Sequence, residues 1–189
     1  MANTTNTQTF FQKDLAGAFK AIPDFPKKGI LFRHIGPLLA DPKLWKRTVQ
    51  NIAEYFRPLG ITKVVGMDAR GFLIGIAVAM ELGAGFVMAR KPSKLPGEKW
   101  SVSYGLEYGD DRLEMLKEEL QSSDRVLIAD DLLATGGTAD AAGKLVKLCG
   151  ASVIGYTFIV ELNGLGGREK LSKAGCSTSP LVYACCSFD

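Results

Sequence analysis

Two adjacent carboxylates, Asp130 and Asp131, stand two leucines before the run Ala134-Thr135-Gly136-Gly137-Thr138. Glycines let backbone amides converge on a ligand at close range. A helix that begins there adds unpaired N–H groups and the positive end of its dipole. Thr135 and Thr138 add hydroxyl donors. Such a loop suits a phosphate. Two carboxylates just ahead of it would repel one, so they suit sugar hydroxyls, a developing cation or a metal. A phosphorylated sugar satisfies both halves. The plainer alternative is a tight turn with the Asp pair as a helix cap; a hairpin turn fails because no strand pattern follows. No G-x-x-x-x-G-K-[ST] occurs in the chain, which excludes a P-loop.

Four further stretches carry chemistry. Met67-Asp68-Ala69-Arg70-Gly71 places an arginine at a second strand-to-helix junction, where a forked, permanently charged donor can hold a second phosphate. Arg90-Lys91-Pro92-Ser93-Lys94-Leu95-Pro96-Gly97 gathers three cations able to neutralise a departing anion, and is equally a solvated basic turn. Glu98 to Ser103 is polar enough for a mobile flap. In Ser103-Tyr104-Gly105-Leu106-Glu107-Tyr108-Gly109, a carboxylate between aromatics suits proton handling on a base or stabilisation of a sugar cation. By composition Glu107 is equally a surface strand residue. Pro23-Asp24-Phe25-Pro26, closed by Gly29, reads as an irregular crossing that leads to Leu31, Phe32 and Arg33. His34, the one histidine of the chain, reads as a structural residue.

The elements that must position these residues follow from apolar spacing. Val126 to Ala129 is an unbroken apolar run, the pattern of a fully buried strand, with the Asp pair where it emerges. The helix predicted over Ala139–Cys149 has Ala141, Leu145 and Leu148 on one face. Phe11, Leu15, Ala18 and Ile22 make an amphipathic helical stripe ended by Pro23. Asp41-Pro42 reads as an N-cap with proline at the first helical position, and Trp45, Val49, Ile52 and Phe56 share one face of the helix it starts. Strands are predicted at 63–67, 85–89, 152–160 and 181–184, an extended stretch at 101–108, and helices at 71–82, from Asp110-Asp111 to Leu120, and at 168–173. Alternation of this kind predicts an α/β fold, a mostly parallel sheet flanked by helices, with ligands at the carboxyl ends of the strands.

Length and composition set outer bounds. The chain has 189 residues and 47% apolar content, enough for one domain with a sizeable core. A net charge of +3 does not call for nucleic acid. The longest apolar run, Gly71 to Met80, is too short to span a bilayer. Residues 1–9 are Asn/Thr/Gln-rich with no apolar signal-peptide region, and are expected to be a disordered tail before a single domain at 10–189. Cys149, Cys176, Cys185 and Cys186 show no C-x-x-C spacing and no histidine partner, so free thiols in a reducing cytoplasm are expected rather than zinc.

The stretch from Val126 to Thr138 closely resembles the phosphoribosyl-pyrophosphate signature of the type I phosphoribosyltransferases. Arg90 to Gly97 and Ser103 to Gly109 resemble the segments that lead into and form the lid of the adenine-specific branch, and Pro23 to Arg33 resembles its hood. The resemblance runs over roughly residues 10–175. It implies the type I phosphoribosyltransferase fold, with a hood near residues 20–40 and a lid near 92–108. The implied reaction joins adenine to phosphoribosyl pyrophosphate, giving AMP and pyrophosphate, for purine salvage. Asp130 and Asp131 would hold the ribose hydroxyls and Ala134, Thr135, Gly136, Gly137 and Thr138 the 5-phosphate. Ala69, Arg70, Arg90, Lys91, Lys94 and Tyr108 would complete the phosphoribosyl site, with Arg70 and Glu107 at the reacting centre. Leu31, Phe32 and Arg33 would meet adenine, the outer two through backbone groups. The family often carries a strained peptide ahead of the arginine in the second loop, a feature that sequence does not display. Mg²⁺ would be held mainly by substrate oxygens and water, without a protein cage. A homodimer is expected from the same resemblance. One departure stands out: His34 replaces the usual aspartate after Arg33.

Ala134 stands where the hypoxanthine–guanine enzymes usually carry aspartate, which together with Glu107 favours adenine. A phosphoribosyltransferase for hypoxanthine, guanine, xanthine or orotate is the nearest alternative. A non-catalytic sensor of phosphoribosyl pyrophosphate would need a DNA-binding module or basic face for which length and charge leave no room. A Rossmann-type domain lacks its G-x-G-x-x-G.

Overall fold

The fold was analysed in a computed structural model that describes residues 11–105, 111–173 and 180–189. Five parallel strands form the central sheet: β3 (Lys63–Met67), β4 (Gly85–Ala89), β7 (Arg125–Leu133), β8 (Ser152–Leu162) and β9 (Leu181–Phe188), in the order β4-β3-β7-β8-β9. The chain runs outward from β3 to β4 through helix α4 (Gly71–Leu82), and outward in the other direction from β7 to β8 through α5 (Gly137–Leu148). The order therefore reverses between β3 and β7. Neighbouring loops splay apart at such a point, and a crevice opens at the carboxyl ends of the two strands.

Both faces of the sheet are covered, which is why its strands read as unbroken apolar runs. On one face Val65, Met67, Val126 and Ile128 pack with Ala141, Ala142, Leu145 and Val146 of α5. On the other, Val64, Leu127 and Ala129 pack with Ile52 and Phe56 of α3 (Pro42–Phe56) and Ile74 and Val78 of α4. Phe11 and Leu15, from a helix over residues 11–17 (α1), join this second layer. Ile52 and Phe56 are fully buried, each contributing about 1.5–3 kcal/mol. Asp41 caps α3 as its sequence predicts: Oδ1 accepts from Lys43 N at 2.9 Å and from Leu44 N at 3.0 Å. Gly83 ends α4 at φ 68°, a conformation open to glycine without a Cβ clash.

Two small ribbons stand outside the sheet. β1 (Lys20–Ile22) and β2 (Phe32–His34) pair antiparallel and, with α2 (Gly36–Ala40), form the region expected to be the hood. β5 (Lys99–Ser103) and β6 (Arg112–Leu116) form an antiparallel hairpin beside α5. The remaining helix, α6 (Gly167–Ser172), precedes β9.

Two sequence expectations are corrected here. The helix predicted from Asp110-Asp111 to Leu120 is instead strand β6. Leu, Glu, Met and Lys favour a helix locally, but Leu113 and Met115 alternate into the core opposite Val102 and Trp100 of β5, and tertiary pairing overrides propensity. The stripe from Phe11 to Ile22 is not one helix either: α1 ends at residue 17, and Ile22 lies in β1 opposite Phe32. The strand over Val126–Ala129 also runs further than its apolar run, through the Asp pair to Leu133.

Candidate active site

The Ala134–Thr138 loop joins the end of β7 to α5 at the switch point. Its N-cap is Gly136, at φ 74°. That left-handed conformation strains any residue with a Cβ, and it starts the first turn of α5 at the loop's hollow. A second reason for glycine here is packing. A Cβ on Gly136 would stand 3.1 Å from Gly167 O, and one on Gly167 would overlap the Ala134 carbonyl. Backbone thus meets backbone, and α6 braces the loop from behind. The brace is itself anchored: Arg168 Nε donates to both Glu161 oxygens at 3.0 Å, and Nη1 donates to Val182 O at 2.7 Å. The hollow is a cavity of about 230 Å³ bounded by Met67, Arg70, Phe158 and the stretch from Asp130 to Ala139.

The carboxylate pair forms its acidic wall. Asp131 is only 5% exposed, and its N–H donates to Asp130 Oδ1 at 2.9 Å. Burial holds both carboxyls above the ordinary aspartate range. For Asp130 the nearby Asp131 charge adds to that shift, whereas for Asp131 the Arg70 charge opposes it. The site thus holds desolvated negative charge that hydroxyl donors or a cation would relieve. Gly71, at the start of α4, packs on the same strand; a Cβ there would lie 2.7 Å from Ala129 O and 3.0 Å from Asp130 Oδ1.

Arg70 crosses from the β3 side to this wall: its Nε lies 3.0 Å from Asp131 Oδ2. The same guanidinium has its carbon 5.7 Å from the centre of the Phe32 ring, linking the hood to the sheet. Phe25 packs edge-on against Phe32 at 5.1 Å between centroids. The Asp68–Ala69 peptide just ahead of Arg70 is cis. Leu31 is exposed, while Arg33 lies over the Phe188 ring at 4.0 Å, so its side chain is turned to the core. His34 pairs with Lys20 in the hood ribbon, with its ring against Gly36.

The basic segment meets the site from the β4 side. Arg90 Nε lies 3.2 Å from Asp68 Oδ2, and its backbone pairs with Glu114 of β6. Lys91 and Lys94 are exposed. The structure therefore brings Arg70, Asp130, Asp131 and the loop to one crevice, with Ala69 next to Arg70 in the chain, Phe32 against the Arg70 guanidinium and Arg90 tied to Asp68. Glu107 and Tyr108 lie outside the described residues. Sequence reasoning missed Asp68, whose place directly ahead of a predicted anion loop was the available signal. It also missed Glu114, which is hidden in the stretch misread as helix, and Gly167, for which no local pattern gives a signal.

An acidic pair and an amide-lined loop thus stand at the reversal point of a parallel sheet, faced by an arginine, an arrangement suited to a phosphorylated sugar. Residues 38–178 match the phosphoribosyl transferase domain. An adenine phosphoribosyltransferase from Yersinia pseudotuberculosis is 47% identical over 188 residues, covering 100% of this chain and 97% of the relative. One from Synechococcus is 48% identical over 158 residues, 84% of this chain and 92% of the relative. Among solved structures, the adenine phosphoribosyltransferase of Rhodothermus marinus superposes with a TM-score of 0.87 at 42% identity, over 95% of this chain and 99% of that one. The Saccharomyces cerevisiae enzyme, complexed with adenine and an imino-altritol bisphosphate, gives 0.84 at 38% identity over 94% and 99%. The chain belongs to the adenine phosphoribosyltransferase family.

Proposed function

We propose that this protein transfers the 5-phosphoribosyl group from phosphoribosyl pyrophosphate to adenine, giving AMP and pyrophosphate. The observation that carries this reading is the shared crevice. The Ala134–Thr138 loop, the Asp130–Asp131 pair and Arg70 surround one cavity, and the Phe32 ring lies against Arg70. In this arrangement the loop amides and the Thr135 and Thr138 hydroxyls take the 5-phosphate. Asp130 and Asp131 accept from the ribose hydroxyls, and their negative charge favours the cation that develops at the anomeric carbon. Arg70 exchanges Asp131 for pyrophosphate oxygens, with Lys91, Lys94 and Arg90 as further cations at the rim. Phe32 packs against the purine while backbone groups of Leu31 and Arg33 read its edge. Glu107 handles charge or a proton on the base, and the lid of residues 92–108 excludes water.

Mg²⁺ belongs to this proposal as an ion carried mainly by substrate oxygens and water. The Asp130–Asp131 pair, buried at the cavity wall, would offer it hard oxygen donors, and such an ion would supply charge neutralisation for the leaving pyrophosphate. A homodimer is supported by α4, which is apolar except for Glu81 near its end and leaves Leu73, Ile76 and Met80 exposed at 47%, 46% and 78%; a helix of that kind is normally covered. Free thiols at Cys149, Cys185 and Cys186 fit a reducing cytoplasm.

The test is a base panel with Mg²⁺ and phosphoribosyl pyrophosphate. AMP is expected from adenine, with no nucleotide from hypoxanthine, guanine or orotate. Turnover of hypoxanthine or guanine in place of adenine would overturn the base assignment.

A further inference from the structure

The position beside Gly137 where a side chain would begin is open, yet three groups surround it. Thr135 Oγ1 lies 3.9 Å from that point, Tyr104 Cδ2 3.8 Å and Lys170 Nζ 4.0 Å. Gly137 is the first residue of α5, so this point borders the amides of the proposed phosphate loop. Lys170 comes from α6, a different element and about thirty residues further along the chain. Its side chain is exposed and forms no salt bridge among the described residues. The adjacent carboxylate, Glu169, has its Oε2 beside Gly166 instead, 3.9 Å from the Cβ position there. Helix α6 is fixed in place by the Arg168 contacts and by the interlock of Gly167 with Ala134 and Gly136. A fixed helix thus carries an ammonium with no ion pair among the described residues to the edge of the loop, beside Gly137 and Thr135.

We propose that Lys170 is a phosphate-binding residue of this site, its ammonium completing the cradle made by Thr135 and the start of α5. The ligand class is a sugar 5-phosphate monoester, as found in phosphoribosyl pyrophosphate, AMP and ribose 5-phosphate. The inference rests on the phosphoribosyl-transfer reading of the loop and adds a contact that the loop itself does not contain. A side chain at Gly137 would start in the space between Lys170 and Thr135.

The experiment measures binding of AMP and ribose 5-phosphate by calorimetry, and steady-state kinetics with adenine, for Lys170→Ala, Lys170→Glu and Lys170→Arg. Losing one charge-assisted contact at a partly solvated site is expected to weaken both ligands and raise KM for phosphoribosyl pyrophosphate by about 5- to 10-fold in Lys170→Ala. The loss should be larger in Lys170→Glu, and Lys170→Arg should return to within about twofold of wild type. KM for adenine and the Tm should not change, and kcat should stay within about twofold, because the contact is made equally before and during reaction. Unchanged phosphate affinity in Lys170→Ala would overturn the proposal. So would an equal loss for adenine accompanied by a lowered Tm, which would mark Lys170 as a support of the fold. Ligand binding is read without turnover, so the two readings separate. If the wild type made no AMP from adenine but Lys170→Ala still lost ribose 5-phosphate affinity, the base assignment would fall and the role of Lys170 would stand.

Discussion

The two ends of the proposed substrate meet very different kinds of structure. The phosphate and ribose end is built into the centre of the molecule: β7 is the middle strand, and its loop is clamped between α5 and α6. Its elements are backbone amides, a buried and a half-buried carboxylate, and Gly136 packed directly on Gly167. The base end is built from a two-stranded ribbon at the periphery, where Phe25 and Leu31 are about half exposed. Arg70, shared by Asp131 and Phe32, links the two ends. A fixed charge pattern in a dry site needs rigid support, because small displacements remove much of its electrostatic advantage. Recognition of a flat aromatic base by a ring tolerates movement. The contrast predicts that substitutions at the centre abolish catalysis, while those at the periphery change one KM.

The largest effect should come from Asp130→Asn with Asp131→Asn. Removing both charges beside the developing cation is expected to lower kcat/KM by about a thousandfold or more. Stability should move the other way. Because the folded-state value of Asp130 is raised by burial and by Asp131, its charge is a cost to the free protein at neutral pH. Asp130→Asn alone should therefore raise the Tm at neutral pH. That gain should shrink as pH falls from the raised folded value and vanish below the ordinary aspartate range, about 3.9, where the wild-type side chain is protonated in both states. Thermal melts from neutral to acidic pH check this, and a Tm lowered at neutral pH would contradict it. Activity of the wild type should fall on acidification at a higher pH than an ordinary aspartate would impose.

Next in size is Gly71→Ala. Its methyl group would press on Ala129 O and Asp130, costing about 1–3 kcal/mol by denaturation. It should lower kcat about 100-fold through displacement of the carboxylate. Phe32→Ala is expected to raise KM for adenine about 10-fold through lost ring contact. KM for phosphoribosyl pyrophosphate should be nearly unchanged, and a loss of both would show that the hood and the sheet are not separable. The smallest effect is assigned to Lys91→Ala and Lys94→Ala. These exposed cations should each raise KM for phosphoribosyl pyrophosphate about two- to threefold at low salt, with the difference lost at high ionic strength.

The α3 cap, the Gly83 stop and the β7-loop-α5 unit were legible from sequence because each is specified by residues a few positions apart. An aspartate bonding the amides two and three residues on, or a glycine at positive φ, needs no distant partner. The hairpin β5–β6 was not legible, because Leu113 and Met115 are fixed by strand β5 rather than by their helix-favouring neighbours. His34 was legible only as a departure; it lies in the hood ribbon opposite Lys20, with its ring beside Gly36.

The sequence by itself thus determined the local chemistry: an acidic pair, an amide-rich loop at a helix start, an arginine at a second such start, and the α/β alternation that carries them. Tertiary structure alone decided which of these meet. The placement of β3 beside β7, against chain order, brings Arg70 to Asp131 across more than half a hundred residues of sequence. The docking of α6 behind the loop fits two backbones together and sets Lys170 at its edge. Contacts of that kind depend on sheet order and on packing gaps shared by distant segments, and no short window of residues encodes either.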